Sequence, residues 1–355
     1  MDELERARGE INQIDHAMAE LFERRMRAVE NVIAYKQQHG LPVLDSSREK
    51  TVVEQGVSRI ETPAYRSYYR DFITHVMALS KQYQRTLSGR DTAAYQGTEG
   101  AYSHIALRHL FPHAKELCCP TFEDVFRAVT SGDAGCGVIP FENSYTGEVG
   151  ETLDLLYQYD LHVTAVYDQQ IVHNLLGVRG AKLSDIRQVY SHPQGLAQCA
   201  RFLKRCPFEL IPYANTALAA KYVGETGDPS KAAIASAETA ELYGLDVLEE
   251  DISTSAENTT RFVVIERELR PSGNRFSLIF TVDHNAGQLA KVLEVVARNG
   301  FNMESIRSKS LKNLPWQYYF YVELVGDVSS PEAGRLMDEM KAHCRECKLL
   351  GVYEK

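Results

Sequence analysis

The chain has 355 residues, with 39 lysines and arginines against 48 aspartates and glutamates, for a formal charge of −9. That length predicts two or three domains, and the acidic balance argues against a broad nucleic-acid or anionic-membrane surface while leaving room for local basic pockets. Apolar residues make up 44% of the chain, yet no run approaches the roughly 20 residues of a membrane-spanning helix, and the charged N-terminal residues carry no signal peptide, so a cytoplasmic protein is expected.

Residues 1–88 read as helices throughout. Apolar or small residues at Leu4, Ala7, Ile11, Ile14, Met18, Leu21, Ala28 and Val32 alternate in steps of three and four, which predicts a long helix to about Gln38 with a seam packed on other helices. The string "HGLPV" breaks it. A second helix starts at Ser46, where Glu49 completes a capping-box pattern, and a third runs from about Ala64 to Leu87. The first helix is too long to bury its seam within so small a domain, so a dimer or higher homo-oligomer with paired long helices is expected.

One seam position is Arg25, where a guanidinium needs an anion or hydrogen-bond acceptors. Arg8 and Lys36 lie at adjoining heptad positions. The second helix adds Asp45, Arg48 and Glu49, and the third carries Ser80 on its apolar seam with Gln84 a turn further on. Together they predict a polar pocket inside a helical bundle.

After the linker "SGRD", short apolar strands alternate with helices from 92 to 268. "TAAYQ", "GCGVIP", "LHVTAVY", "RQVYS", "FELIPY", "KAAIAS" and "RFVVIE" read as strands, with crossovers such as "SHIALRHLF", "TFEDVFRAVTSG" and "TALAAKYVGE". The pattern is a two-lobed α/β domain. Residues 274–355 then give strand, helix, strand, strand, helix, strand, an α+β unit in βαββαβ order. The fold class is thus multidomain, with an all-α part, an α/β part and an α+β part. Seven scattered cysteines predict reduced thiols. The isolated Cys344-x-x-Cys347 lacks a second ligand pair, so neither metal nor cofactor is expected.

The strings "RGEINQID", "ERRMRAVENVIAYK", "PVLDSSRE" and "SKQYQ" resemble the all-helical chorismate mutase family in order and over nearly the whole first segment. The resemblance implies that Arg25 and the partner chain's Arg8 hold the two carboxylates of chorismate. Lys36 and Gln84 would then face the ether oxygen, Glu49 and Asp45 the hydroxyl side, with Arg48 and Ser80 completing the pocket. In the middle segment, "GTEGAYSHIA", "VIPFENSYTGEVGETLDLL", "YSHPQGLAQC" and "NTTRF" resemble prephenate dehydratase. This implies an essential Thr260 and a cleft lined by Glu142, Asn143, Ser144, Ser191, Gln194 and Thr216. Arg261 either binds a substrate carboxylate or pairs with an acidic neighbour, and the residue that delivers the proton stays open. His192 reads as structural.

The last segment resembles an ACT domain, which implies L-phenylalanine as effector at a dimer interface near Asn285, Gly287, Leu289 and Ser308. The family's Glu-Ser-Arg-Pro motif falls on Arg307, Ser308, Lys309 and Ser310, so three of four residues differ, and Ala286 replaces a usual proline. The combined expectation is a bifunctional enzyme taking chorismate and prephenate to phenylpyruvate. Two rivals are a non-catalytic small-molecule sensor and a dehydratase whose helical segment is only a dimerisation arm.

Overall fold

The structure, a computed structural model, describes residues 3–38, 46–87, 91–255, 257–311 and 316–355. Asp45 and the side chains of Arg48 and Glu49, including the expected cap at Ser46, lie outside what is described. The chain divides into two compact units, Met1–Asp91 and Thr92–Lys355.

The first unit is helical: α1 (Glu3–Gln38), α2 (Ser46–Ser58), a 3-10 turn at Pro63–Tyr65 and α3 (Arg66–Leu87). Within one chain the predicted seam is not what α1 buries. Leu4, Ile11, Ile14, Met18 and Leu21 remain 43–58% exposed, whereas Ile33 is buried and Arg25, Met26 and Val29 are half-buried. The face turned toward α3 is thus one residue around the helix from the heptad stripe, and the stripe itself stays largely exposed among the described residues.

In the second unit the order is β1 (Thr92–Gln96), α4 (Tyr102–Leu110), β2 (Lys115–Cys119), α5 (Phe122–Ser131), β3 (Cys136–Asn143), β4 (Gly147–Glu148), α6 (Gly150–Gln158) and β5 (His162–Gln170). A second lobe follows: β6 (Asn174–Val178), β7 (Gln188–Ser191), α7 (Pro193–Gln198), α8 (Ala200–Leu203), β8 (Glu209–Pro212), α9 (Thr216–Thr226), β9 (Lys231–Ala235), α10 (Ala237–Tyr243) and β10 (Leu245–Glu249). The chain returns to the first lobe as β11 (Thr259–Glu266) and ends with β12 (Arg275–Thr281), α11 (Gln288–Arg298), β13 (Asn302–Ser310), β14 (Tyr318–Val325), α12 (Pro331–His343) and β15 (Glu346–Tyr353). Local chemistry sets the helix starts. Thr121 and Asp124 form a capping box at α5, Asn215 accepts from Leu218 N at α9, and Ser330 with Pro331 opens α12.

The described strands make two sheets. One runs β10-β6-β9-β7-β8; the other runs β13-β14-β12-β15-β5-β11-β3-β1-β2, with β4 beside β3. The βαββαβ segment therefore does not stand apart, because β15 lies parallel to β5 where Gly351 meets Val163. Its aromatic side chains Tyr319, Tyr321 and Tyr353 share one core with Phe141, Leu153, Leu156 and Val263.

That junction depends on Gly351. A Cβ there would stand 2.4 Å from the Val163 carbonyl oxygen, closer than any side chain tolerates. Gly351→Ala is expected to cost about 1–3 kcal/mol through overpacking, lowering the melting temperature of this unit by roughly 2–10 °C in differential scanning calorimetry. An unchanged melting temperature would mean that the two strands do not meet at this point.

Candidate functional sites

In the helical unit, Arg25 on α1 donates to the hydroxyl of Ser80 on α3. Ser80 is 3% exposed; its hydroxyl donates to Val76 O at 2.8 Å and rests 3.7 Å from Met26 Sδ. Burial pushes the Arg25 guanidinium below its ordinary pKa. Among the described residues no carboxylate forms an ion pair with it, and it is half-buried. Gln84, one turn beyond Ser80 on α3, and Lys36, about three turns beyond Arg25 on the same side of α1, are both half-buried. Arg8 is exposed and about 25 Å from Arg25 along the helix at roughly 1.5 Å per residue. It cannot join Arg25 in the same chain's pocket.

In the second unit, motifs distant in sequence converge at the ends of β3, β11 and β5. Asn143 and Gln169 both stand opposite Thr260 in the strand register, so the three side chains project from one face. Asn143 Nδ2 donates to Thr260 Oγ1 and to Asn258 Oδ1, each at 2.9 Å. Its Oδ1 accepts from the backbone N–H groups of Tyr145 and Thr146 at 3.0 Å. Ser144 Oγ donates to Glu257 O and accepts from Thr259 N, fixing the next residue of the loop to β11. From the other lobe, Gln194 reaches Thr146 Oγ1 at 3.4 Å. Thr260, Asn143, Asn258 and Gln169 are all at least nine-tenths buried.

Several expected residues have other occupations. The Ser191 hydroxyl is wholly buried and donates to Ile234 O at 2.9 Å, so it shapes the strand end and is not free to meet a ligand. Thr216 opens α9 next to it: a Cβ on Gly195 would stand 2.8 Å from Ser191 Oγ and 3.5 Å from Thr216 Cγ2. The Glu142 carboxylate, expected in the cleft, is held by Arg307 of β13. Arg261 takes the second of its two readings. It grips Asp168 through Nε at 2.8 Å and Nη2 at 3.2 Å, lies 3.8 Å from the buried Glu323, and is raised in pKa chiefly by the Asp168 hydrogen bond. His192 caps α7, accepting from Gln194 N.

Two residues absent from the sequence reading belong here. Gln169 Oε1 and Asn258 Nδ2 are buried without hydrogen-bond partners among the described residues. Asn258 begins the "NTTRF" string and was within reach of sequence reasoning; Gln169 carried no signal, since only strand register sets it beside Thr260. Nearby, Tyr102 OH donates to Val172 O, and His173, lowered in pKa by burial, meets Gln198 Oε1 at 2.7 Å. These contacts tie the segment between β5 and β6 to α4 of the first lobe and α7 of the second.

A cavity of about 290 Å³ opens at the start of α11 and is lined by Asp283, His284, Asn285, Leu289, Tyr318 and Phe320 among others. Asn285 and Leu289 are therefore where a ligand would touch them. Gly287, at φ +84°, turns the chain into α11 without lining the cavity. Ser308 is also absent from its walls and lies exposed on β13.

Comparison with known proteins agrees with both catalytic assignments. The family model for chorismate mutase type II matches residues 7–85, and that for prephenate dehydratase matches residues 93–270. A protein of Aquifex aeolicus named bifunctional chorismate mutase/prephenate dehydratase is 31% identical, the alignment covering 100% of this chain and 99% of its own. Among solved structures, one described as a novel type of quorum-quenching acylase is 33% identical with a TM-score of 0.69, covering 74% of this chain and 97% of its own. The Arthrobacter aurescens prephenate dehydratase in complex with L-Phe shares the fold at 24% identity and a TM-score of 0.68, covering 74% of this chain and 90% of its own. Matched by both family models in turn and by a bifunctional relative from end to end, the chain belongs to the family of bifunctional chorismate mutase/prephenate dehydratases, enzymes of phenylalanine biosynthesis.

Proposed function

We propose that the helical unit rearranges chorismate to prephenate in a pocket built on Arg25, Lys36, Ser80 and Gln84, with Asp45, Arg48 and Glu49 contributed by the second helix and its approach. The rearrangement is pericyclic and calls for no nucleophile. It needs the compact conformer held and the charge growing on the breaking ether oxygen met by donors. Arg25 would hold a carboxylate. Arg8 comes from a second copy, a homodimer in which the exposed apolar stripe of α1 is covered; the length of α1 and the exposure of that stripe support this arrangement.

The second step converts prephenate at the face carrying Thr260, Asn143, Asn258 and Gln169. The ring carboxylate leaves as carbon dioxide, its bonding pair enters the ring, and the ring hydroxyl departs with a proton as water, leaving phenylpyruvate. A dense set of hydroxyl and amide groups suits a departing hydroxyl that must be hydrogen-bonded as its charge develops. Arg261, already paired with Asp168, steadies β11 from the opposite face. The reading is carried by the meeting of Asn143 with Thr260, 117 residues apart, at 2.9 Å. An acylase would need a hydroxyl or thiol activated by a base. Thr260 meets an amide instead, so dehydration is retained.

The C-terminal segment serves as an ACT-type sensor, with domains at 1–88, 92–268 and 274–355 and L-phenylalanine taken up at the cavity near Asn285 and Leu289. The enzyme works in the cytoplasm. No helix among the described residues is long and apolar enough to cross a membrane.

The test supplies purified full-length protein with chorismate, then with prephenate, and measures phenylpyruvate with and without phenylalanine. Conversion of both substrates is expected, with dehydration slowed by phenylalanine. Conversion of prephenate alone would reduce the helical unit to an arm, and conversion of neither would favour a sensor. Dehydration indifferent to phenylalanine would remove the effector.

A further inference from the structure

Two side chains of β13 leave the C-terminal segment and end on either side of a single loop. Arg307 donates to the Glu142 carboxylate and lies with Cζ 4.7 Å over the Phe141 ring and 5.8 Å over Tyr321. Lys309, two residues on and so on the same face of the strand, meets Asp154 Oδ1 at 2.7 Å and donates to the Gly150 carbonyl. Tyr319 OH donates to that same Asp154 oxygen at 2.7 Å. Ser308 and Ser310 are exposed. Two of the three residues that depart from the family's effector motif, Arg307 and Lys309, thus face the catalytic half of the unit.

Glu142 is the penultimate residue of β3, and Gly150 is the first of α6. Between them runs the turn that begins at Asn143, holds Ser144 and Thr146, and returns as β4 beside β3. A bulge in β3 makes the division: Arg261 opposes Glu142 and Phe262 opposes Pro140, leaving Phe141 as the extra residue. The bulge turns Phe141 and Glu142 toward β13 and returns Asn143 to the side of Thr260.

Docking of the C-terminal segment has other sources, namely the shared aromatic core and the β15–β5 contact. Burying an ion pair adds little net stability to such a core, whereas its geometry is specific. We propose that Arg307 and Lys309 are positioning residues of the dehydratase step. They pin both ends of the loop at 143–149 so that the Asn143 amide stays on the Thr260 hydroxyl. The proposal rests on the reading of Asn143 and Thr260 given above.

The experiment compares the full chain with Arg307→Ala, Lys309→Met and Arg307→Lys, measuring both activities and amide hydrogen exchange. The alanine and methionine variants should lose about tenfold in dehydratase kcat, in keeping with the cost of small misplacements, with KM within about twofold and mutase turnover unchanged. Exchange should quicken at 143–149 while β12, β14 and β15 stay protected. Arg307→Lys keeps the cation but loses the planar fork over the rings and should fall between. Dehydratase kcat within about twofold of the parent in both variants, or exchange quickened throughout β12, β14 and β15, would overturn the clamp. A parent chain inert toward prephenate would instead remove the catalytic reading, and the exchange pattern, read without substrate, would still decide whether the loop is pinned.

Discussion

Arg25→Ala is expected to lower kcat/KM for chorismate by about 10²–10³-fold, the scale for losing one preorganised charge-stabilising group, while prephenate turnover in the same preparation stays at the parent level. The substitution is a clean probe because of what it leaves behind. Ser80 keeps its hydrogen bond to Val76 O, so no buried hydroxyl loses its only partner and the helical unit has little reason to unfold. Arg25→Lys retains the charge but not the planar donor fork, and should recover only part of the activity. Steady-state kinetics on both substrates, with circular dichroism to follow helix content, checks the result. Mutase activity that survives Arg25→Ala would place the substrate carboxylate elsewhere.

Thr260→Val removes one hydroxyl and nearly conserves volume, and the expected outcome mirrors the first. Dehydratase kcat should fall by about 10²–10⁴-fold, the range for a positioned group assisting proton movement, with mutase turnover unchanged. Asn143 Nδ2 then loses one acceptor but keeps Asn258 Oδ1 at 2.9 Å and Thr259 O at 3.3 Å. The loss therefore reports on chemistry more than on a collapsed network. Thr260→Ser restores the hydroxyl and should stay within about tenfold of the parent. If the valine variant retains full activity, the departing hydroxyl is assisted from another side chain, and Gln169 becomes the first candidate.

Helices and strands were readable where periodicity was strong, as in α1, α3, α5 and the buried run of β9. Short elements such as β2 and β10 are harder to read, since five residues with mixed exposure give little periodic signal. Sequence motifs located Arg25, Ser80, Asn143 and Thr260, but a motif names residues without saying which way they face. Glu142 and Asn143 are neighbours in one string, and strand alternation sends their side chains to opposite faces. Ser191 sits in a motif yet serves the backbone. Gln169 belongs to no motif and comes to Thr260 only through strand register, which depends on the whole sheet. The β13 residues that read as a damaged effector motif make contacts across the unit that no local pattern reveals.

The β15–β5 contact has a consequence for how the chain can be divided. A fragment ending near Glu268 would uncover the flank of β5 and the apolar side chains of Phe141, Leu153 and Val263 that Tyr319, Tyr321 and Tyr353 now cover. An open strand flank beside an apolar patch is a template for aggregation. The C-terminal segment is therefore also a solubility element. Its removal should yield insoluble protein before it yields an unregulated enzyme, so loss of activity in such a fragment says nothing about allostery.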